Sequence, residues 1–362
     1  MIYGILFLYI ALSTLVGIRI YISLNKLLKI NKLLYSFIFF IFSSSFFIFE
    51  ILSTKLPHKV DKILAFIGSY YISFFAYAVI LFIISFILTV LFQPQKIDLY
   101  LVSTLLSIII VAVGVFLANS THIKTYDITT EKPLNNNSLK VALVSDVHLS
   151  YTIGPSRLQV LKNDLNNLDA DVIIFAGDLL DGAVNPVIKE NMIAYLKDLK
   201  STYGTYFALG NHEYYSGCAD GICKMLSDYG IKVLTDKTEL INNEFYIIGR
   251  NDIKASDFRD ARKPLSELCN DIDKNKFSIV IDHNPKYVEE SQKNSIDLQV
   301  SGHTHKGQIF PGNILTKLMY PLDYGYKKFG NTNLVVSSGF GTWGTAIRTT
   351  GRSEIVLINI HN

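Results

Sequence analysis

Five short stretches of the chain combine histidine, carboxylate and amide side chains. They are Asp146-Val147-His148, Gly177-Asp178-Leu179-Leu180-Asp181, Gly210-Asn211-His212-Glu213, Asp282-His283-Asn284-Pro285 and Ser301-Gly302-His303-Thr304-His305. The chain has eight histidines, and five of them fall in these stretches. A lone Asp-x-His is more often a surface or core feature than a metal site, but five such stretches together point to a metal centre. The donors are imidazole nitrogen, carboxylate and amide oxygen, a mix that suits borderline ions such as Mn²⁺, Fe²⁺/³⁺ or Zn²⁺. No cysteine lies in any stretch, which argues against a closed structural zinc site built on thiolates. Two ions about 3.5–4 Å apart can clamp a phosphoryl group and supply the attacking water. Such a pair requires one shared carboxylate. Asp178 is the natural candidate, because its stretch lies between those of Asp146 and Asn211.

Each stretch follows a short apolar run. Val141–Ser145, Val172–Ala176, Tyr206–Leu209, Phe245–Ile248, Ser278–Ile281, Leu298–Val300, Leu334–Val336 and Ile355–Ile360 read as buried strands. Leu158–Leu168, Val187–Leu199, Cys223–Tyr229, Leu265–Ile272 and Pro285–Lys293 read as helices. This predicts an α/β layout with flanking helices, and ligand sites in such sheets form beyond the carboxyl ends of the strands.

The first third of the chain is different. Residues 1–118 carry eight Lys or Arg and three acids, a net of +5, whereas the remaining 244 residues hold 26 basic and 28 acidic side chains, a net of −2. A soluble single-domain protein is excluded, and so is a chain that is membrane throughout. The near-neutral second part has no nucleic-acid footprint, and no nucleic-acid partner is expected. Four apolar runs, Ile2–Ile18, Leu33–Phe49, Ile63–Phe92 and Leu99–Asn119, predict about four membrane spans. The start lacks the basic residue of a signal peptide, and the basic residues follow the first run, which suits an uncleaved span. Arg19, Lys26, Lys29 and Lys32 lie in the first loop and Lys96 in the third, against Lys55, Lys59 and Lys62 in the second. By loop charge the first and third loops face the cytoplasm, and the C-terminal domain faces outward. The expected organisation is a transmembrane helical domain over 1–119, a polar connector over 120–138 and an α/β domain over 139–362.

The order Asp-x-His, Gly-Asp-x-x-Asp, Gly-Asn-His-Glu, His, Gly-His-Thr-His resembles the calcineurin-like metallophosphoesterase superfamily over about residues 139–362. Gly302–Gln308, followed by Ser337–Gly344 and Ile347-Arg348, looks like the branch of membrane-anchored bacterial phosphohydrolases. The resemblance implies a four-layer sandwich, two β-sheets between helices, and two divalent metal ions (Mn, Fe or Zn). By position it implies that Asp146, His148 and His305 hold the first ion. Asn211, His283 and His303 would hold the second, and Asp178 would bridge. It implies that His212 faces the substrate and protonates the leaving oxygen, that Asp181 orients His212, and that Glu213 is structural. Where this branch usually has glycine after the Gly-His-Thr-His box, this chain has Lys306, whose ammonium either meets a substrate phosphate or points to solvent. Tyr324, Tyr326, Phe340 and Trp343 are candidates for a substrate wall or for packing.

The expected function is that of a membrane-anchored hydrolase cleaving a phosphoester or pyrophosphate bond in a phosphorylated small molecule or lipid. The competing reading is a non-catalytic membrane receptor or scaffold. A transporter is disfavoured by the few ionisable groups within the spans. Cys218 and Cys223 flank a short glycine-containing loop that an oxidising compartment could bridge.

Overall fold

The computed structural model describes residues 2–53, 55–94, 96–258 and 262–362. These fall into two compact units, Met1–Phe116 with Gly344–Ile347, and Leu117–Trp343 with Arg348–Asn362.

In the first unit each apolar run is a helix: α1 (Ile2–Leu28), α2 (Lys32–Leu52), α3 (His58–Phe92) and α4 (Leu99–Asn119). All four are long and apolar enough to cross a membrane. With lipid as the outer solvent, hydroxyl pairs and small residues hold such helices together better than apolar burial does. Ser13 and Tyr71 share a hydrogen bond of 2.6 Å, Ser85 and Ser103 one of 2.7 Å, and Tyr35 donates to the Gly17 carbonyl at 2.7 Å. Lys26, near the end of α1, pairs with Asp98, at the start of α4, at 3.0 Å. The end of the first helix and the start of the fourth therefore lie on one side.

The second unit holds two six-stranded sheets. The first runs β1 (Thr121–Thr129), β12 (Ser353–His361), β2 (Ser138–Val144), β3 (Val172–Ala176), β4 (Thr205–Ala208), β5 (Ile231–Val233). The second runs β10 (Gly325–Phe329), β11 (Thr332–Val336), β9 (Leu298–Ser301), β8 (Phe277–Ile281), β7 (Phe245–Gly249), β6 (Lys237–Ile241). Both central regions are parallel: β2, β3, β4 and β5 in one, and β7, β8, β9 and β11 in the other.

Period two explains the layering. Val141, Leu143, Val172 and Ile174 point inward and pack with Phe245, Ile247, Phe277 and Ile279 of the other sheet. Their neighbours Ala142, Val144, Ile173 and Phe175 point outward, under Leu158, Leu161 and Leu165 of α5 (Pro155–Asn166) and Ile222 and Leu226 of α8 (Ala219–Asp228). On the far side, Ile248 and Val280 pack with Leu265 of α10 (Leu265–Leu268), and Leu334 and Val336 with Val288 of α11 (Val288–Lys293). Short helices α6 (Asn185–Lys189), α7 (Asn211–Tyr215) and α9 (Ala255–Phe258), and the eight-residue α12 (Gly312–Met319), complete the unit. The result is the α/β four-layer sandwich.

Three expectations need correction. The stretch 120–138 is more than a connector: all nine residues of β1 pair with β12, from Thr121 with Ser353 to Thr129 with His361. β1 is an edge strand: Thr125, Asp127 and Thr129 are exposed on one face while Tyr126 and Ile128 on the other pack on the core, and its polar residues hid it. Val187–Leu199 is not one helix: it breaks between α6 and a 3₁₀ turn at Met192–Leu196, with Asn191 at φ 46°. The helix expected over Leu265–Ile272 stops at Leu268.

Ile128 and Leu134 belong to the core between the sheets. A fragment starting at Leu139 lacks both, and it bares the edge of β12. Its melting temperature is expected to fall roughly 10 °C below that of a fragment starting at Ser120, since each buried side chain contributes about 2 kcal/mol. Thermal denaturation of the two fragments checks this.

Candidate metal centre

The five stretches sit where the carboxyl ends of β2, β3 and β4 meet those of β8 and β9. Backbone bonds lace the loops together: Asp146 N–H to Gly177 O at 3.1 Å, His148 N–H to Asp178 O at 3.1 Å and Gly302 N–H to His283 O at 3.0 Å. Asp146, His148, Asp178, His303 and His305 all have φ between 49° and 70°. Left-handed backbone is costly for residues other than glycine, and it clusters where surrounding structure enforces it. Two glycines permit the approach. A Cβ on Gly210 would strike the Asp178 carboxylate, and one on Gly302 the Asp146 carboxylate.

The donor atoms form groups that share members. Asp146, His148 and His305 form one, Asp178, His283 and His303 a second, and His148, Asp178 and His212 a third. His148 Nε2 and His305 Nε2 face each other at 3.0 Å, with Asp146 Oδ1 3.3 Å from His305 Nε2. In the second group His283 Nε2 lies 3.1 Å from Asp178 Oδ2 and 3.2 Å from Asn211 Oδ1. Asn211 Oδ1 is also 2.8 Å from His303 Nδ1. Asp178 Oδ2 reaches both groups, at 3.1 Å from His283 and 3.8 Å from His148.

Donors about 2.1 Å from one ion lie roughly 3–3.5 Å from each other, so this spacing fits a cation at the centre of each group. The chemistry of the donors fits as well. His283 Nδ1 donates to the Ala176 carbonyl at 2.7 Å, which turns Nε2 inward. Burial would lower this ring, but the Asp178 charge raises it well above its ordinary range, so a bound ion would take the place of the Nε2 proton. Burial, helped by the charge on His283, pushes His303 down to about 3, and burial with His148 holds His305 well below the ordinary range. Both are then neutral, the form that binds metal. Burial would raise Asp178, but His283 and His148 outweigh it and hold the carboxyl well below its usual range. The clustered aspartates and histidines fit a dinuclear metal site.

Around these donors the geometry adds detail. His212 lies on α7, its ring 4.7 Å from that of His148 and 6.2 Å from the half-exposed ring of Trp343. Its backbone N–H donates to Asp178 Oδ1 at 2.8 Å. Asp181, expected to orient His212, is nearer His148: its Oδ1 lies 3.1 Å from His148 Nδ1 and 4.0 Å from His212 Nδ1. Lys306 turns its ammonium over the Tyr324 ring, 4.2 Å from the centroid. Phe340 is fully buried under the Arg157 guanidinium and is packing, not wall. Tyr324 donates to Glu354 and Tyr326 to Asn333. Cys218 and Cys223 form no disulfide.

Three supports surround the donors: Glu213, expected to be structural, and Asp282 and Arg348, whose roles the sequence did not show. Glu213, fully buried, accepts backbone N–H bonds from Asp178 at 2.9 Å, Leu179 at 2.7 Å, Leu180 at 3.1 Å and Gly210 at 2.8 Å. Asp282 points away from the donors to Arg250 and Arg262. Arg348, also buried, donates to the carbonyls of Ser338, Gly339 and Gly341, and so holds the loop whose Gly341 N–H bonds Asp146 O at 2.8 Å. The Gly-Asn-His-Glu spacing was a usable signal for Glu213, but nothing in the sequence linked Asp282 to two arginines far along the chain.

Comparison with known proteins agrees with this geometry. A family model described as calcineurin-like phosphoesterase matches residues 139–307. A metallophosphoesterase of Campylobacter jejuni is 35% identical over 239 residues, which cover 66% of this chain and 63% of that protein. A transmembrane protein with metallophosphoesterase domain from Danio rerio is 33% identical, over 64% of this chain and 55% of that protein. A metallophosphoesterase of Aquifex aeolicus is 30% identical over 259 residues, which cover 68% of this chain and 97% of that protein. The chain belongs to the calcineurin-like metallophosphoesterase family. Its four apolar helices make it a membrane protein. The match spans only about 60% of the length of the Campylobacter jejuni and Helicobacter pylori relatives, 63% and 60%.

Glu213→Gln replaces one acceptor oxygen with an amide that faces backbone donors. It is expected to cost about 3 kcal/mol of stability and to lower metal content, read by urea denaturation and elemental analysis.

Proposed function

We propose that the protein is a membrane-anchored phosphohydrolase that uses two divalent ions, Mn²⁺, iron or Zn²⁺, to cleave a phosphoester or pyrophosphate bond. The observation that carries this reading is the convergence of seven donor side chains into two groups that share the Asp178 carboxylate. Asp146, His148 and His305 would hold one ion, and Asn211, His283 and His303 the other, with Asp178 between. The ions, when bound, would neutralise phosphoryl oxygens and lower the pKa of the attacking water.

The chain's own residues supply the rest. His212 is held by its N–H bond to Asp178 and by the ring contact with His148, so it stays beside the donors. There it would hydrogen-bond the phosphoryl oxygen and pass a proton to the leaving oxygen. Asp181, within reach of His148 and close to His212, would fix the orientation of both rings. Trp343, half-exposed beside His212, would cover the apolar part of a substrate, and Lys306 would sit near its charge. A membrane-tethered site suits a lipid-linked phosphate. The receptor reading is disfavoured because every donor of the set is intact.

Loop charge and the Lys26–Asp98 pair support a topology with both ends of the four-helix unit outside, and hence a catalytic domain on the outer face.

With Mn²⁺, the detergent-solubilised chain is expected to hydrolyse p-nitrophenyl phosphate or its bis ester. No activity with any of the three metals would overturn the catalytic reading. His212→Ala should keep both ions and lose about 10²–10⁴-fold in turnover, while Asp178→Asn should lose metal from both sites. Protease added to intact cells should digest the domain. Full protection would place it inside.

A further inference from the structure

Helix α12 is amphipathic in the wrong sense for a soluble protein. At 100° per residue, Ile314, Leu315, Leu318 and Met319 share one arc of the helix, and Asn313, Thr316 and Lys317 lie on the other. In an ordinary surface helix the apolar arc faces the core. Here the four apolar side chains are between 50% and 80% exposed, none of the eight residues is buried, and Phe310, just before the helix, is 54% exposed. The contact with the protein is polar instead. Thr316 donates to the Asp323 carboxylate at 2.9 Å, and Asp323 in turn takes a bond from Thr304, within the metal-donor stretch, through its carbonyl at 2.5 Å. The helix is tied closely to that stretch. A Cβ on Gly307, two residues past His305, would run into the backbone of Asn313. Tyr320, the residue after α12, has its ring 5.9 Å from that of His303.

We infer that α12 and Phe310 lie in the surface of the lipid bilayer and seat the metal centre against it. An exposed, contiguous apolar arc of this kind marks an interaction surface. The same chain names the occupant. Its last span, Leu99–Asn119, is separated from the first strand, Thr121–Thr129, by Ser120 alone, so the second unit begins at the end of a membrane helix. Lys317, flanking the arc, matches anionic headgroups. Short helices with an apolar face and basic flanks bind about 5–10 Å deep at the headgroup boundary. The substrate class that follows is a phosphate carried at the bilayer surface, reached without leaving the membrane.

The test uses the full chain, whose one tryptophan is Trp343. With Trp343→Phe as background, Leu318→Trp becomes the sole tryptophan, excited selectively beyond tyrosine absorption, and Leu315→Trp in the same background provides a second reporter on the same arc. The proteins are reconstituted in vesicles of phosphatidylcholine and phosphatidylglycerol, with or without brominated acyl chains. Brominated lipid is expected to remove about half or more of the emission from both reporters, and acrylamide in the water should quench them at least threefold less than N-acetyltryptophanamide. Emission quenched by acrylamide as fully as the free standard would overturn the inference. So would shielded emission that brominated lipid leaves untouched, which would mean that another copy of the chain covers the arc. The inference rests on the membrane-anchored reading and not on the chemistry: the quenching reports where the helix sits whether or not phosphate is released, and failure of catalysis would appear separately with p-nitrophenyl phosphate.

Discussion

Two carboxylates, Asp146 and Asp178, are kept out of solvent side by side at the junction of two sheets, and most of the surrounding structure answers to that constraint. An isolated ionised carboxylate is costly to bury, by several kcal/mol even after relaxation. Burial and the charge of Asp178 push Asp146 up, although His283 opposes this, while His283 and His148 hold Asp178 down against its own burial. One acid is thus compensated at the expense of the other. Neutral imidazoles on His303 and His305 add lone pairs but no charge. A pair of cations is the species whose charge and coordination would satisfy every group at once.

Bringing such groups together has a backbone cost. The left-handed residues among the donors lie on three loops, Asp146 and His148 after β2, Asp178 after β3, and His303 and His305 after β9, and bonds between the loops hold them there. Glu213 shows how. Four N–H groups from two loops converge on its carboxylate, and burial with the Asp178 charge pushes it up to about 7 against those bonds. Its position on the short helix that also carries Asn211 and His212 means that one buried side chain sets the distance between the end of β3 and the end of β4. Arg348 does the equivalent for the loop over Asp146. These residues bring no donor to the ions. They hold the geometry in which donors about 3 Å apart can be maintained.

The legible part of this architecture was the part governed by local chemistry. The eight buried strands that the apolar runs predicted are all present, because strands covered on both faces need uninterrupted apolar residues. The donor stretches were legible for the complementary reason: polar residues at the ends of such strands have few structural uses. The partner of a polar side chain was not legible. Asp181 is three residues from Asp178, yet only the folded positions show it nearer His148 than His212. The edge strand β1 was hidden by solvation of one face. Helix α12 was hidden because its eight residues begin after Pro311 and are too few for a periodic signal to stand out.

That last case bears on how a membrane-held site would work. For an enzyme tethered to the surface that carries its substrate, encounter is intramolecular in effect, and the effective concentration can exceed any solution value. Affinity for the phosphate group then has little left to contribute. Contacts with remote apolar parts of a lipid, such as those Trp343 or the α12 arc could make, are better used to hold the phosphorus in line with the attacking oxygen than to tighten binding. A small soluble phosphate ester lacks those parts. It would report the metal centre faithfully but understate turnover, and the ratio of rates on lipid-borne and soluble phosphates would measure how much of the catalytic power comes from the membrane side of the site.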